Sequence, residues 1–576
     1  KLPEYMLPHY LKALDSLPLT SNGKVAKDRL PSITERVLGT SLVLPETALE
    51  LELSEIWKSL LNLSEIGITM NFFEIGGHSL KAVRLLGHYR KDLGVTLSLK
   101  DLFLHTTIQS QARLISGLQS EEFISIPKVE VSEDGYAISD AQRRLWVLSQ
   151  IEETSIAYNV PDQVILPSDY DVSSLRLSVS SVIARHESLR TVFRESEQGE
   201  VKQYVLAQGE LDFIYEEGLT ELAIKERISS DMFESFDLST GPLLRVRLYR
   251  KEDGDLLFYY NMHHIISDGW SREVLFRDVS AYYAHYTKGV ALSLPDLPIQ
   301  YKDYASWQLS LLSSASWSLS QSYWQDQFSE ATVPLSLPSD LSRPLVKTTN
   351  GCYVSSYILP HQHKSLKDYS VSKGGSLFTG LLSCFKILLY RYTSQGDITI
   401  GSPLSGRSHI DLENQIGFYV NTLVFRSVLS GSMSVSEAFS SVQQVVLDGY
   451  SHQDYPFDRL VEDLSLPRDT SRTPLFDVML SLQNNGSVRD FSIAANEALA
   501  ITHHGRINSK FDLLVSFKEL GDYLSMSIEY NSDVYEPWLI DQLIVDYRNL
   551  LDVLFLDDQI ELGKLVYQSF EERSLL

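Results

Sequence analysis

The 576-residue sequence holds only two cysteines, Cys352 and Cys384. So sparse a pair excludes a disulfide framework and a cysteine-based metal site, and it fits a reducing, cytoplasmic compartment. Both are expected to be buried thiols. Basic residues are in deficit: 50 Lys and Arg stand against 75 Asp and Glu, a formal charge of −25. A nucleic-acid backbone calls for a basic stripe, so nucleic acid is excluded as a partner. No apolar run approaches the ~20 residues of a membrane-spanning helix, and the best candidate, Leu381 to Tyr390, is broken by Lys386. No membrane partner is expected. Short-period repeats, low-complexity tracts and a signal-peptide pattern are also lacking. The chain reads as a segment of a larger protein.

What is present is an ordinary globular composition, 43% hydrophobic and 22% charged, over a length that implies several domains. Residues 1–35 are punctuated by Leu and Pro and are followed by a linker at 36–45. Residues 46–118 read as short amphipathic helices. Thr47 and Glu50 form a capping box that starts the first, with Leu49, Leu53, Ile56, Trp57 and Leu60 on its buried face. Ala82, Leu86, Tyr89 and Leu93 define a second, closed by Gly94, and a third follows Thr107 with Ile108, Ala112 and Ile115. Together they suggest a small bundle. Residues 119–135 are acidic and aperiodic; a flexible linker of about 17 residues spans roughly 20–25 Å, and a rigid spacer is the alternative. From Tyr136 onward, strand alternation mixes with helical periodicity, as in an α/β protein.

Two places carry candidate chemistry. Gly76-Gly77-His78-Ser79 is a tight turn that places Ser79 at the N-cap of the second helix. Free amides and the macrodipole there favour an anion, so a phosphodiester on this hydroxyl is electrostatically well placed. Simple capping is the plainer role. The other place is the apolar strand Leu256 to Met262, which runs into His263-His264-Ile-Ile-Ser-Asp268-Gly269. Adjacent strand residues face opposite sides, so at most one histidine is the direct catalyst. The same geometry disfavours zinc, because no third ligand lies at helical spacing. His361 and His363, read as sharing a face, and the pair His503-His504 lack carboxylate or cysteine companions and read as surface or structural residues.

The block around Ser79, from Asn71-Phe-Phe to Leu80-Lys-Ala, resembles peptidyl carrier domains. That resemblance implies 4′-phosphopantetheine on Ser79, and His78 resembles carriers that feed a condensation domain. Leu17-Pro-Leu-Thr-Ser-Asn-Gly-Lys24 resembles the last motif of adenylation domains, in which the residue at Lys24 contacts the adenylate; most of that domain is missing. Ser139-Asp-Ala-Gln-Arg-Arg-Leu-Trp146, Arg185-His-Glu-Ser-Leu-Arg-Thr191, Tyr301-Lys-Asp-Tyr-Ala-Ser-Trp307, Ile416-Gly-Phe-Tyr-Val-Asn-Thr-Leu423, His452-Gln-Asp-Tyr-Pro-Phe457 and Arg468-Asp-Thr-Ser-Arg-Thr-Pro-Leu-Phe476 follow in order. With the His-His motif they resemble the condensation domains of nonribosomal peptide synthetases.

The resemblance implies a small four-helix-bundle carrier domain followed by two chloramphenicol-acetyltransferase-like α/β lobes in a V, residues 136–310 and 311–576, with a tunnel between them. It makes His264 the catalytic position, and His263 and Asp268 architectural. Asp268 is expected to pair with Arg407, Arg190 being the second candidate. Gly269 is a possible oxyanion donor and Ser402 a weaker one. The implied partners are an upstream adenylation domain, a downstream acceptor carrier and a phosphopantetheinyl transferase. The implied reaction is peptide-bond formation between a donor thioester on Ser79 and an acceptor amine, with an L-configured donor. An epimerisation domain and a non-catalytic recruiting domain of the same fold are the competing readings.

Overall fold

The computed structural model describes residues 43–568 apart from 78, 120–122, 124, 151–154, 253, 468 and 484–497, and for Ser79 it describes the backbone alone. The adenylation-like tail with Lys24, His78 and Arg468 lie outside the described residues.

Four helices form the first unit: α1 (Ala48–Leu61), α2 (Ser79–Asp92), α3 (Leu99–Leu104) and α4 (Ile108–Ile115). The Thr47/Glu50 capping box starts α1, and Ser98/Asp101 and Thr107/Ser110 do the same for α3 and α4. Periodicity alone passes over α3, which is a single short turn-and-a-half. Leu53, Trp57, Ala82, Tyr89, Leu102 and Ile108 close the bundle core. Inside it Trp57 donates to the Tyr89 hydroxyl (2.8 Å), which donates to Gln111 (2.6 Å). This chain satisfies polar groups that are costly to bury unpaired.

The remainder forms two lobes. In the first, β2 (Asn159–Leu166), β5 (Asp212–Leu219), β6 (Leu244–Lys251) and β7 (Leu256–His263) make a sheet in the order β2-β7-β6-β5. Every residue of β7 is buried, as its unbroken apolar run predicts. Helices Val172–Arg185 and Gly269–Lys288 pack together in this lobe. A small sheet of β1 (Tyr136–Ala137), β4 (Val201–Val205) and β3 (Thr191–Glu195) adjoins.

The second lobe holds a seven-stranded mixed sheet, β10-β9-β11-β13-β14-β8-β12. Its strands are β8 (Asn350–Ile358), β9 (Asp397–Leu404), β10 (Asn421–Val428), β11 (Val478–Gln483), β12 (Thr502–Asn508), β13 (Leu513–Leu520) and β14 (Tyr523–Asn531). Helix Leu377–Thr393 is buried almost throughout. Its Lys386, 0% exposed, donates to Ile398 O, Phe425 O and Ser427 Oγ, so an ammonium that reads as a break is satisfied inside the core. Among the described residues no helix is long and apolar enough to cross a membrane. Ile416 and Phe418 leave this lobe and enter the core of the first, with Leu145, Ile265 and Val274.

Three expectations need correction. Cys384 is buried, but Cys352 is partly exposed, since β8 lies beside the edge strand β12. Helix α2 begins at Ser79 itself, so this residue is the first helical position and not the cap. The 119–135 segment is not a free tether: Ile126 is buried with Tyr301 and Leu412, Phe123 lies 5.1 Å from His409, and Val129 N donates to Asp303.

Candidate active site

β7 delivers the two histidines into different surroundings. His263 ends the strand, fully buried, and its Nδ1 accepts the Ile265 N–H at 3.1 Å. The ring proton is then on Nε2, which meets no partner among the described residues. Burial, with His264 beside it, drives its pKa down to about 3. This is a neutral ring that shapes the following turn.

His264 opens the 3₁₀ turn His264–Ile266, and its N–H donates to Tyr158 O at 2.9 Å. Its Nδ1 lies 2.6 Å from Ser267 O. A carbonyl only accepts, so Nδ1 carries the proton and Nε2 keeps a free lone pair. The half-buried ring is edge-on to Phe418 (4.8 Å) and 6.4 Å from Tyr158. Burial first, then the nearby Lys510 cation, pushes its pKa down to about 3. Lys510 Nζ stands 5.3 Å over the Tyr158 ring. Phe418 also lines a cleft of ≈ 570 Å³, open mouth included, with Ser139, Tyr304, Trp307, Asn421 and Asp454.

Asp268 N-caps helix Gly269–Lys288 and is saturated. It accepts from Arg407 Nη2 (3.0 and 3.1 Å), Ser271 N (2.8 Å), Ser271 Oγ (2.7 Å) and Tyr419 N (3.1 Å). Arg407 is itself buried and donates to Leu412 O and Gln415 O. The second candidate, Arg190, does not reach Asp268: it bonds Leu206 O and faces Glu187. A carboxylate so engaged has no lone pair left for proton transfer; it pins the helix to the crossing segment. Gly269 follows, exposed, at the first helical position where the amide has no intrahelical acceptor. Ser402 lies buried inside β9, opposite Leu423.

Four of the six other motifs meet on this turn and the helix it opens. Gln142 of the helix Asp140–Ser149 donates to Ile265 O, and Ser139 meets the Tyr301 hydroxyl, which donates to Phe418 O. His186 and Arg185 both hold the buried Asp278 of helix Gly269–Lys288. Ser271 Oγ and Gly417 exchange two hydrogen bonds. His361 and His363 do not share a face: they lie two apart on helix Pro360–Ser372, one exposed beside Asp552, the other buried against Glu519. A helix, unlike a strand, turns such a pair to different sides. His503 and His504 are exposed and meet Asp541 and Ser355.

Ser271 is legible in retrospect, because Asp268-x-x-Ser271 is a capping pattern. Tyr158 and Lys510 carry no such signal; they reach His264 from chain positions more than one hundred and more than two hundred residues away.

At the other site, the turn before Ser79 requires its glycines. Gly76 has φ +104°, and a Cβ on Gly77 would fall 2.3 Å from the Phe72 ring. The start of α2 thus presents free amides to a group attached there, which suits a phosphodiester.

Residues 132–576 match the family described as "Condensation domain" and residues 52–115 match "Phosphopantetheine attachment site". Tyrocidine synthase 3 of Brevibacillus parabrevis is 37% identical over 98% of this chain, and surfactin synthase subunit 1 of Bacillus subtilis (strain 168) 35% over 99%. The chain spans only 8% and 16% of those proteins. Among solved structures, the X-domain from teicoplanin biosynthesis superposes with TM-score 0.68, 24% identity, 77% of this chain and all of that one. The four-domain synthetase holo-AB3403 gives 0.66 at 20% identity, over 78% of this chain and 35% of that one. The chain belongs to the condensation-domain family of nonribosomal peptide synthetases and carries a phosphopantetheine-attachment domain ahead of that domain.

Proposed function

We propose that the condensation domain joins a donor acyl group held on Ser79 to the amine of an acceptor aminoacyl thioester brought by a downstream carrier, with His264 as the residue that receives the amine proton. The observation that carries this reading is the 2.6 Å contact between His264 Nδ1 and Ser267 O, which leaves Nε2 with its lone pair. The 4′-phosphopantetheine on Ser79, loaded through a phosphopantetheinyl transferase, supplies the thiol that bears the donor.

At a pKa of about 3 His264 is far too weak a base to deprotonate an ammonium of pKa about 7.7–8.0 at equilibrium. The amine must therefore arrive neutral; Nε2 takes its hydrogen as the C–N bond forms and the nitrogen turns acidic, and the thioester C–S bond then breaks as that hydrogen passes from Nε2 to the departing sulfur. The exposed Gly269 amide is the donor for the oxygen that gains charge. Asp268 and Arg407 hold the turn and take no proton. Alignment of two tethered reactants contributes more, roughly 7–11 kcal/mol, than a base worth roughly 10²–10⁴ in rate. The donor is L-configured, because no epimerising domain stands between the two units.

The test is intact-mass measurement after phosphopantetheinyl and aminoacyl loading, then condensation with a synthetic acceptor thioester, with L- and D-donors in parallel. Amide formed from the L-donor supports the reading. A mass gain without amide favours a non-catalytic recruiting domain, and no gain on Ser79 removes the donor arm.

A further inference from the structure

One contact joins the two family domains directly. Arg84 of α2 donates to Glu413 Oε1 at 3.0 Å, and its guanidinium lies 5.5 Å from the Trp270 ring centre. Trp270 Nε1 donates in turn to Glu413 O at 2.8 Å, so the three side chains share one joint. Trp270 directly follows Gly269, and the Arg407 guanidinium lies 5.8 Å from the same ring. Glu413 is nearly buried, its side chain 10% exposed, which sets this pair apart from solvated surface ion pairs. Around it the fit continues: a Cβ on Gly87 would stand 3.7 Å from Ile410 Cβ, and α3 packs on helix Val435–Ser451.

We infer that Arg84 is a docking latch: by closing on Glu413 and Trp270 it seats α2, and with it the arm on Ser79, at the start of the helix that Asp268 caps, beside Gly269. This rests on the donor reading of Ser79 given above. Ser79 and Arg84 are five residues apart on one helix, about 7.5 Å of rise, so fixing Arg84 fixes the arm's point of attachment. The strap through Phe123, Ile126 and Val129 keeps the carrier domain close, which raises its effective concentration at the site. The bonds from Arg407 to Leu412 O and Gln415 O flank Glu413 but use main-chain carbonyls, so the catalytic turn does not depend on the Glu413 carboxylate.

Two readouts on the full chain test this. The first is the single-turnover rate with the donor loaded on Ser79, beside the rate with a small soluble aminoacyl thioester that bypasses the carrier domain. Glu413→Arg is expected to slow the carrier-borne reaction about tenfold and leave the soluble donor within twofold, with Arg84→Glu added back restoring the rate. Equal slowing of both donors, or no rescue by the swap, overturns the latch. The second readout needs no catalysis. In a Gly87→Cys/Ile410→Cys background the 3.7 Å separation suits a disulfide, whose Cβ atoms lie about 3.5–4.5 Å apart. Cross-linking under mild oxidation is expected to be rapid, about tenfold slower with Glu413→Arg, and restored by the charge swap. Absence of the cross-link, or a rate indifferent to Glu413→Arg, overturns the latch even where condensation proceeds. A cross-link with amide from the soluble donor but none from Ser79 sinks the donor reading instead.

Discussion

His263 and His264 are neighbours in the chain, yet one is sealed in the core and the other is half-buried against Phe418 with Nδ1 tied to Ser267 O. Replacing His264 with Ala is expected to lower the single-turnover rate by about 10²-fold, the low end of general-base effects, because alignment survives. Full rate in that variant removes the proton-acceptor role. Lys510 gives a second test at this scale. Burial is the larger cause of the depressed His264 pKa, and the Lys510 cation adds to it. In the native protein the log rate should fall with the slope of one proton, the amine's, well below pH 7. Lys510→Met lets the His264 pKa rise from about 3 towards 6.5, so the slope should steepen to two protons at a higher pH than in the native protein. Coincident pH–rate profiles for the two proteins contradict this assignment.

At the scale of elements, Asp268 does the work of a cap, a clamp and an inter-lobe tie at once. Arg407→Met strands a buried carboxylate and is expected to cost about 3–5 kcal/mol in urea unfolding, as for other broken buried pairs. A loss under 1 kcal/mol contradicts the clamp. Lys386 makes a prediction of opposite chemistry. Burial drives its pKa from 10.5 down to about 7. Between those values the unfolded chain holds a proton that the folded chain lacks, so this group makes stability rise with pH from about 7 to 10.5. The stability difference between native protein and Lys386→Met should therefore grow in favour of the native protein across that window, read by denaturant melts at each pH. A difference independent of pH contradicts it. A capping box made α1 legible, apolar spacing made α4 so, and the unbroken apolar run made β7 so. Helix α3 was missed although Ser98-x-x-Asp101 is the same signal, because six residues give no periodicity to read. The 361/363 pair was misjudged because a face depends on whether the segment is helix or strand.

Across the whole molecule, the motif series is read from the order of its members and not from any local pattern. Its members lie far apart in sequence and meet through bonds to the clamp: Gln142 at Ile265, His186 at Asp278, Gly417 at Ser271, Tyr419 at Asp268. Local chemistry does not encode those meetings, which is why Arg407 and Arg190 were both plausible until the lobes were seen together. Nor does composition encode the strap that ties Phe123, Ile126 and Val129 down, since an acidic, aperiodic stretch reads as free linker whether or not a few apolar side chains find a groove. The most direct test of the central claim loads Ser79 with an L-aminoacyl phosphopantetheine arm, adds a synthetic acceptor thioester, and follows the intact masses of chain and product. Amide formation by the native chain, slowed about 10²-fold in His264→Ala, is the predicted result. A loaded chain that yields no amide, or one equally fast without His264, contradicts it.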